Sequence, residues 1–130
     1  MKTIKENSNT ILLREYLAPL CGWNLVKPDS NTTGWWEKDG CERVVGACCP
    51  IDDTIEAAND CLPKNVHLMK MEWLINRNQP EDAVMIVFLV MYEDESTQPL
   101  ILGWSGKRNE KQARFHLAIW AHDEITKKKN

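Results

Sequence analysis

The stretch AVMIVFLVMY, residues 83–92, carries ten residues without a charge. It is half the length of the roughly 20 residues a helix needs to cross a bilayer. Ile86, Phe88 and Val90 alternate with Val87, Leu89 and Met91, so a strand here is apolar on both faces. Such a strand needs cover on both sides of its sheet, which places it at the centre. Upstream, LMKMEWLIN (68–76) puts Met69, Met71, Trp73 and Ile75 on one face and Leu68, Lys70, Glu72 and Leu74 on the other, the period of a strand. Downstream, the acidic EDEST turns the chain into PLILGW. Pro99 stands at the start of that strand, where its missing donor matters least.

Helical patterns flank these strands. Asn9 can cap a first helix running to Pro19 or Leu20, with Leu13, Tyr16, Leu17 and Leu20 at helical spacing and Gly22 as its stop. After the polar loop KPDSNTTG, TGWWEKDGCERVVGACC reads as a hairpin about Asp39-Gly40. Trp35 and Trp36 then face opposite sides of that ribbon and are unequally buried. IDDTIEAANDCLP is a short helix with Asp53 and Glu56 at capping-box spacing, an inner stripe of Ile55, Ala58 and Leu62, and Pro63 at its end. The last helix starts near Asn109. Its apolar residues fall in two adjoining rows, Ala113, Leu117, Trp120 and Ala121 beside Phe115, Ala118 and Ile119. The lysine-rich TKKKN end reads as frayed. The order helix, hairpin, helix, three strands, helix predicts an α+β protein, a three-layer α-β-α sandwich around a mainly antiparallel sheet.

Composition narrows the function classes. At 130 residues, with 43% apolar and 27% charged residues, the chain suits a single globular domain with an ordered core over about 10–125. A net charge of -3 gives no bulk affinity for duplex nucleic acid. MKTIKENSNT has no apolar run of a signal peptide, and no stretch reaches membrane-span length. Five cysteines without such a signal read as reduced thiols in a cytoplasm. Neither the adjacent Cys48-Cys49 pair nor His67, His116 and His122 have metal-ligand spacing, and no Cys-His-Asn/Asp pattern marks a cysteine nucleophile. Neither metal nor cofactor is expected.

Two features carry candidate binding chemistry. In GWSGKRN (103–109), Gly103, Ser105 and Gly106 allow close backbone approach, Lys107 and Arg108 add charge, and the helix that follows presents unpaired N–H groups to an anion. The spacing is not that of a Walker A loop, and a turn with solvated basic residues fits the same letters. Trp35 or Trp36 offers a stacking platform or a partner hot spot, and Trp104 and Arg114 lie close in sequence to the basic turn.

The helix ending in Gly22-Trp23, the Trp-containing hairpin, the helix DDTIEAAND and the closing helix KQARFHLAIWA resemble the small phage proteins of the phage ABA sandwich family. The resemblance spans roughly residues 10–125 on short motifs, and departs at the Cys-rich second hairpin strand and the long strand 83–92. It implies a phage or prophage origin and the sandwich fold, and brings no catalytic residues. The expectation is a noncatalytic binding protein of the host cytoplasm that counteracts host antiviral defence. It would sequester an anionic, nucleotide-like signal through Trp35, Trp36, Trp104, Ser105, Lys107, Arg108 and Arg114. The alternatives are a protein–protein inhibitor of a host factor and a structural or oligomerising accessory protein, for which a homo-oligomer is natural.

Overall fold

The computed structural model describes residues 2–74 and 83–129. Among these, three helices and six strands follow in the order α1 (Lys2–Leu20), β1 (Asn24–Val26), β2 (Trp35–Glu37), β3 (Val44–Val45), α2 (Ile55–Asp60), β4 (Val66–Leu74), β5 (Ala83–Tyr92), β6 (Thr97–Ser105) and α3 (Glu110–Lys129). The protein is α+β and its strand pairings are antiparallel. The strands form two sheets, β1-β2-β3 and β4-β5-β6, rather than one.

α1 begins at Lys2, so Asn9 lies within it and is not its cap. Its C-terminus is the expected one. Gly22 has φ of 98°, the Trp23 amide donates to the Ala18 carbonyl at 3.0 Å and the Gly22 amide to Pro19 at 3.1 Å. This is a Schellman stop, in which glycine takes the left-handed turn at no steric cost. Tyr16 is exposed, leaving Leu17 fully buried with Leu13 and Leu20 packed beside it. α2 is capped by Thr54, whose Oγ1 accepts from the Ala57 amide at 3.0 Å. Asp53 does not act as that cap; it pairs with Lys111 at 3.2 Å. Asn109 caps α3, its Oδ1 accepting from the Gln112 amide at 3.1 Å. The helix runs on through the lysine-rich end to Lys129.

The two apolar rows of α3 serve different cores. Phe115 and Ala118, with Ile119 beside them, pack with Leu17, Ala18, Trp36, Ile51, Ala58 and Cys61. Ala113, Leu117 and Ala121, with Trp120, pack with Val66, Ile86, Phe88 and Val90. α3 therefore sits between the β4-β5-β6 sheet on one side and α1, α2 and the first sheet on the other.

β5 is central, as its sequence requires, with β4 and β6 on either side. Its two faces are unequal. Val84, Ile86, Phe88 and Val90 are buried under α3, whereas Met85 is exposed and Val87, Leu89 and Met91 are half-buried. The two-sided cover expected of this strand is not found among the described residues. β4 also departs from simple alternation. A register shift between Leu68 and Lys70 inserts Met69 as an extra residue, a β-bulge. Leu68 therefore joins Met71 and Trp73 on the helix side, while Met69 turns out to solvent at 53% exposure. Ile75 lies outside the described residues.

Candidate functional site

The largest consequence of this packing is the bare face of the β4-β5-β6 sheet. The register aligns Lys70 with Leu89, Glu72 with Val87, and Leu74 with Met85. Across β5, Met85 aligns with Gly103, Val87 with Ile101, Leu89 with Pro99, and Met91 with Thr97. Paired residues of a ladder share a face. The result is a continuous apolar band from Leu74 and Met85 through Val87, Leu89 and Met91 to Ile101 and Pro99. Ile101 is 57% exposed and Met85 38%. Along one edge, Lys70 Nζ lies 3.8 Å from Glu72 Oε2, both side chains in solvent. A solvated antiparallel face is ordinarily polar. Here the polar residues are confined to His67, Lys70 and Glu72 on the β4 edge and Thr97 at one end.

The residues expected to bind a nucleotide-like ligand are divided between the two sheets. Trp36 is buried in the core under α1 and α3 at 8% exposure. Trp35 is half-buried; its Nε1 donates to Glu37 Oε1 at 2.7 Å, and the Arg43 guanidinium sits 5.0 Å from its ring centre. Trp104 closes the other sheet, on the α3 side. It stacks on His116 at 5.1 Å and meets Trp73 edge-on at 5.9 Å, and burial lowers the pKa of that His116. Ser105 ends β6, Lys107 and Arg108 follow in the turn before α3, and all three are exposed. The start of α3 opens onto a cleft of about 450 Å³ whose lining includes Asp53, Glu56, Glu110 and Lys111. Lys111 is already paired with Asp53, so carboxylates dominate this cleft and weaken its pull on an anion. Arg114 bridges Glu110 (2.8 Å) and Asn59 (2.7 Å), tying α3 to α2. It lines a second open groove of about 500 Å³ with His67, Lys70 and Met71.

A third constellation escapes sequence reasoning. Cys21 follows α1 inside its Schellman stop, and Cys61 is the C-cap of α2. Both meet His122 of α3. His122 Nε2 lies 2.7 Å from the Cys61 carbonyl oxygen and 3.9 Å from Cys21 Sγ, which is itself 3.9 Å from that carbonyl. The Cys61 thiol hydrogen-bonds to the Cys21 sulfur, holding the Cys21 thiol well below its usual range with further help from His122 and Lys38 against the cost of burial. The same contact pushes the Cys61 thiol up, and the Cys21 sulfur raises His122. Carbonyl-rich helix ends favour a cation, so two C-termini facing one imidazole act in the same direction. Cys21 is half-buried and Cys61 buried. The sequence signal for this junction is weak: a cysteine at the stop of each of two helices, with a histidine late in the third.

No protein-family model, curated protein or solved structure matches this chain. The likeness to phage sandwich proteins therefore rests on the short motifs alone. Among the described residues, no helix is long and apolar enough to cross a membrane.

Proposed function

We propose that the protein is a noncatalytic binding protein of the oligomerising kind, and that its working surface is the bare face of β4-β5-β6, which takes a second copy of the chain. The observation that carries this reading is an apolar sheet face only partly covered, with Met85 and Ile101 exposed and Val87, Leu89 and Met91 half-buried. Contiguous apolar patches of several hundred Å² are uncommon on monomers and mark interaction sites.

The register favours self-association. Met71, Phe88 and Leu100 form one row across the sheet. A two-fold axis lying under that row sets each strand over its own counterpart, antiparallel. Lys70 then faces the second copy's Glu72, Val87 faces Leu89, and Ile101 faces Pro99. Charges meet opposites and the central apolar residues meet apolar ones, while at the two ends Leu74 lies over the second copy's His67 and Gly103 over Thr97. The geometry is that of aligned sheet packing, about 10 Å apart. Three strands of nine, ten and nine residues give about 430 Å² of flat footprint per copy over a nine-residue length. Before side-chain relief is counted, the pair thus approaches the roughly 1,000 Å² total that specific interfaces need, at the small end of their range. The cover that a three-layer sandwich needs on this face comes, on this reading, from the second copy. A nucleotide-like ligand at Lys107 and Arg108 draws less support, because carboxylates crowd the start of α3. The phage resemblance makes counter-defence the setting in which such a dimer works.

Sedimentation equilibrium over a wide concentration range tests the reading. A dimer with micromolar Kd is expected. Ile101→Asp should abolish it, Lys70→Glu should weaken it about ten-fold, and Lys70→Glu combined with Glu72→Lys should restore it, with circular dichroism confirming the fold of each variant. A wild type that stays monomeric into the hundreds of micromolar, or a dimer indifferent to Ile101→Asp, would overturn it.

A further inference from the structure

The junction of Cys21, Cys61 and His122 stands apart from the bare sheet face and from the basic turn. We propose that Cys21 is a peroxide-reactive thiolate and Cys61 its resolving partner, so that the protein carries a two-cysteine oxidation site where α1, α2 and α3 converge. Four features bring the groups together. The Schellman stop of α1 fixes the backbone of Cys21, and Cys61 terminates α2. His122 is anchored on the Cys61 carbonyl at 2.7 Å with Cys21 Sγ at 3.9 Å. Cys21 Sγ also lies 3.9 Å from the Cys61 carbonyl oxygen, which sets the two cysteines side by side. Reactive cysteines need a thiolate, a nearby cation and partial access to solvent. Cys21 has His122 beside it, Lys38 near it and a half-buried position that a small oxidant reaches. A sensor cysteine also needs a resolving thiol at hand, and Cys61 is that thiol.

The chemistry balances with a hydroperoxide as oxidant. The Cys21 thiolate attacks one peroxide oxygen, forming an S–O bond as the O–O bond breaks, and the departing alkoxide takes its proton from His122. Cys21 is thereby oxidised to a sulfenic acid and the peroxide reduced to an alcohol. The Cys61 sulfur then attacks the Cys21 sulfur; the S–S bond forms, the S–O bond breaks, and the hydroxyl leaves as water with the Cys61 proton. Two thiols and one hydroperoxide give one disulfide, one alcohol and one water. The product clips the end of α1 to the end of α2. It is a stoichiometric modification, not a turnover.

The test uses the full chain and hydrogen peroxide. One equivalent, followed by alkylation and mass analysis, should give a single-chain product that has lost two hydrogens, with the bridge mapped to Cys21 and Cys61. Cys61→Ser should stop at one added oxygen on Cys21, trapped by a dimedone probe, and Cys21→Ser should lose the fast reaction. A second measurement needs no oxidant. Near pH 6 a thiol held at about 5 carries about 300-fold more thiolate than an ordinary one, and its lower basicity gives back about 1.6 decades. Cys21 should therefore alkylate roughly ten-fold faster than an ordinary thiol, and His122→Asn should reduce that advantage. Oxidation spread evenly over the five cysteines, a bridge mapped to another pair, or Cys21 alkylating no faster than an ordinary thiol would each overturn the proposal.

Discussion

Phe88 and Leu89 are neighbours on one strand, and the structure gives them opposite fates. Phe88 is 0% exposed beneath α3, among Ile86, Val90 and Leu117. Leu89 is half-buried on the bare face opposite Lys70 and Pro99. Truncating a fully buried phenylalanine costs about 3–5 kcal/mol, because transfer and cavity terms add. Against a typical total of 5–15 kcal/mol, Phe88→Ala should remove a large fraction of the stability. It should lower Tm by roughly 10–20 °C for a chain of this size. Leu89 is only half-buried in the folded chain, so Leu89→Ala should cost the monomer less, about 1–2 kcal/mol. Urea unfolding followed by tryptophan fluorescence, at protein well below the expected micromolar Kd, reads both. The comparison then repeats at high concentration. If a second copy covers the face, the Leu89→Ala penalty should grow with protein concentration by mass action while the Phe88→Ala intrinsic penalty stays fixed. Equal losses at low concentration would refute one-sided burial and show that the chain itself covers the second face.

Three further outcomes follow from local geometry. The pKa of His116 is lowered by burial, so the unfolded chain binds its proton first; that contribution should fall as pH drops below about 6.5 and level off below the folded value. Urea midpoints across this window should show the slope, and His116→Phe, which can still stack on Trp104, should reduce it, leaving the share of the lowered Cys21 thiol, which acts in the same direction. Thr54→Ala removes the α2 cap and should cost about 1 kcal/mol. Asp53→Ala loses only a partly exposed ion pair and should cost less than 1 kcal/mol, an order that thermal melts of the two variants can check. Gly46→Ala sets a Cβ against the Thr33 carbonyl oxygen, so it should destabilise the first sheet more than Gly40→Ala, where the space is open and only the left-handed φ of 81° resists a side chain. Far-UV melts of the pair would contradict this if the two variants matched.

Much of the architecture was legible because it rests on local chemistry. Gly22 stops α1, Asn109 caps α3, and the two rows of α3 each find a core. Trp35 and Trp36 are unequally buried because adjacent strand residues point opposite ways. What was not legible depends on the tertiary fold. Leu68 and Met69 are both apolar, so nothing in their chemistry says where the register slips. Strands of two or three residues, such as β3 and β1, are too short for periodicity to show that they form a sheet of their own. The apolar run 83–92 shows that both faces want cover but not where it comes from. Cys21 meets residues 40 and 101 positions away, a convergence no spacing rule anticipates.

The position of α3 between two cores has a consequence for how the native state opens. A helix that contributes to one core can detach while the rest of a protein stays folded, and its amides then exchange with solvent at intermediate rates. α3 has no such route. Lifting Ala113, Leu117 and Ala121 off the large sheet drags Phe115 and Ala118 out of the core they share with Leu17, Trp36 and Ala58. Amides between residues 113 and 121 should therefore exchange only through global unfolding, the slowest in the chain, while β1 and β3 trade their hydrogens through smaller openings.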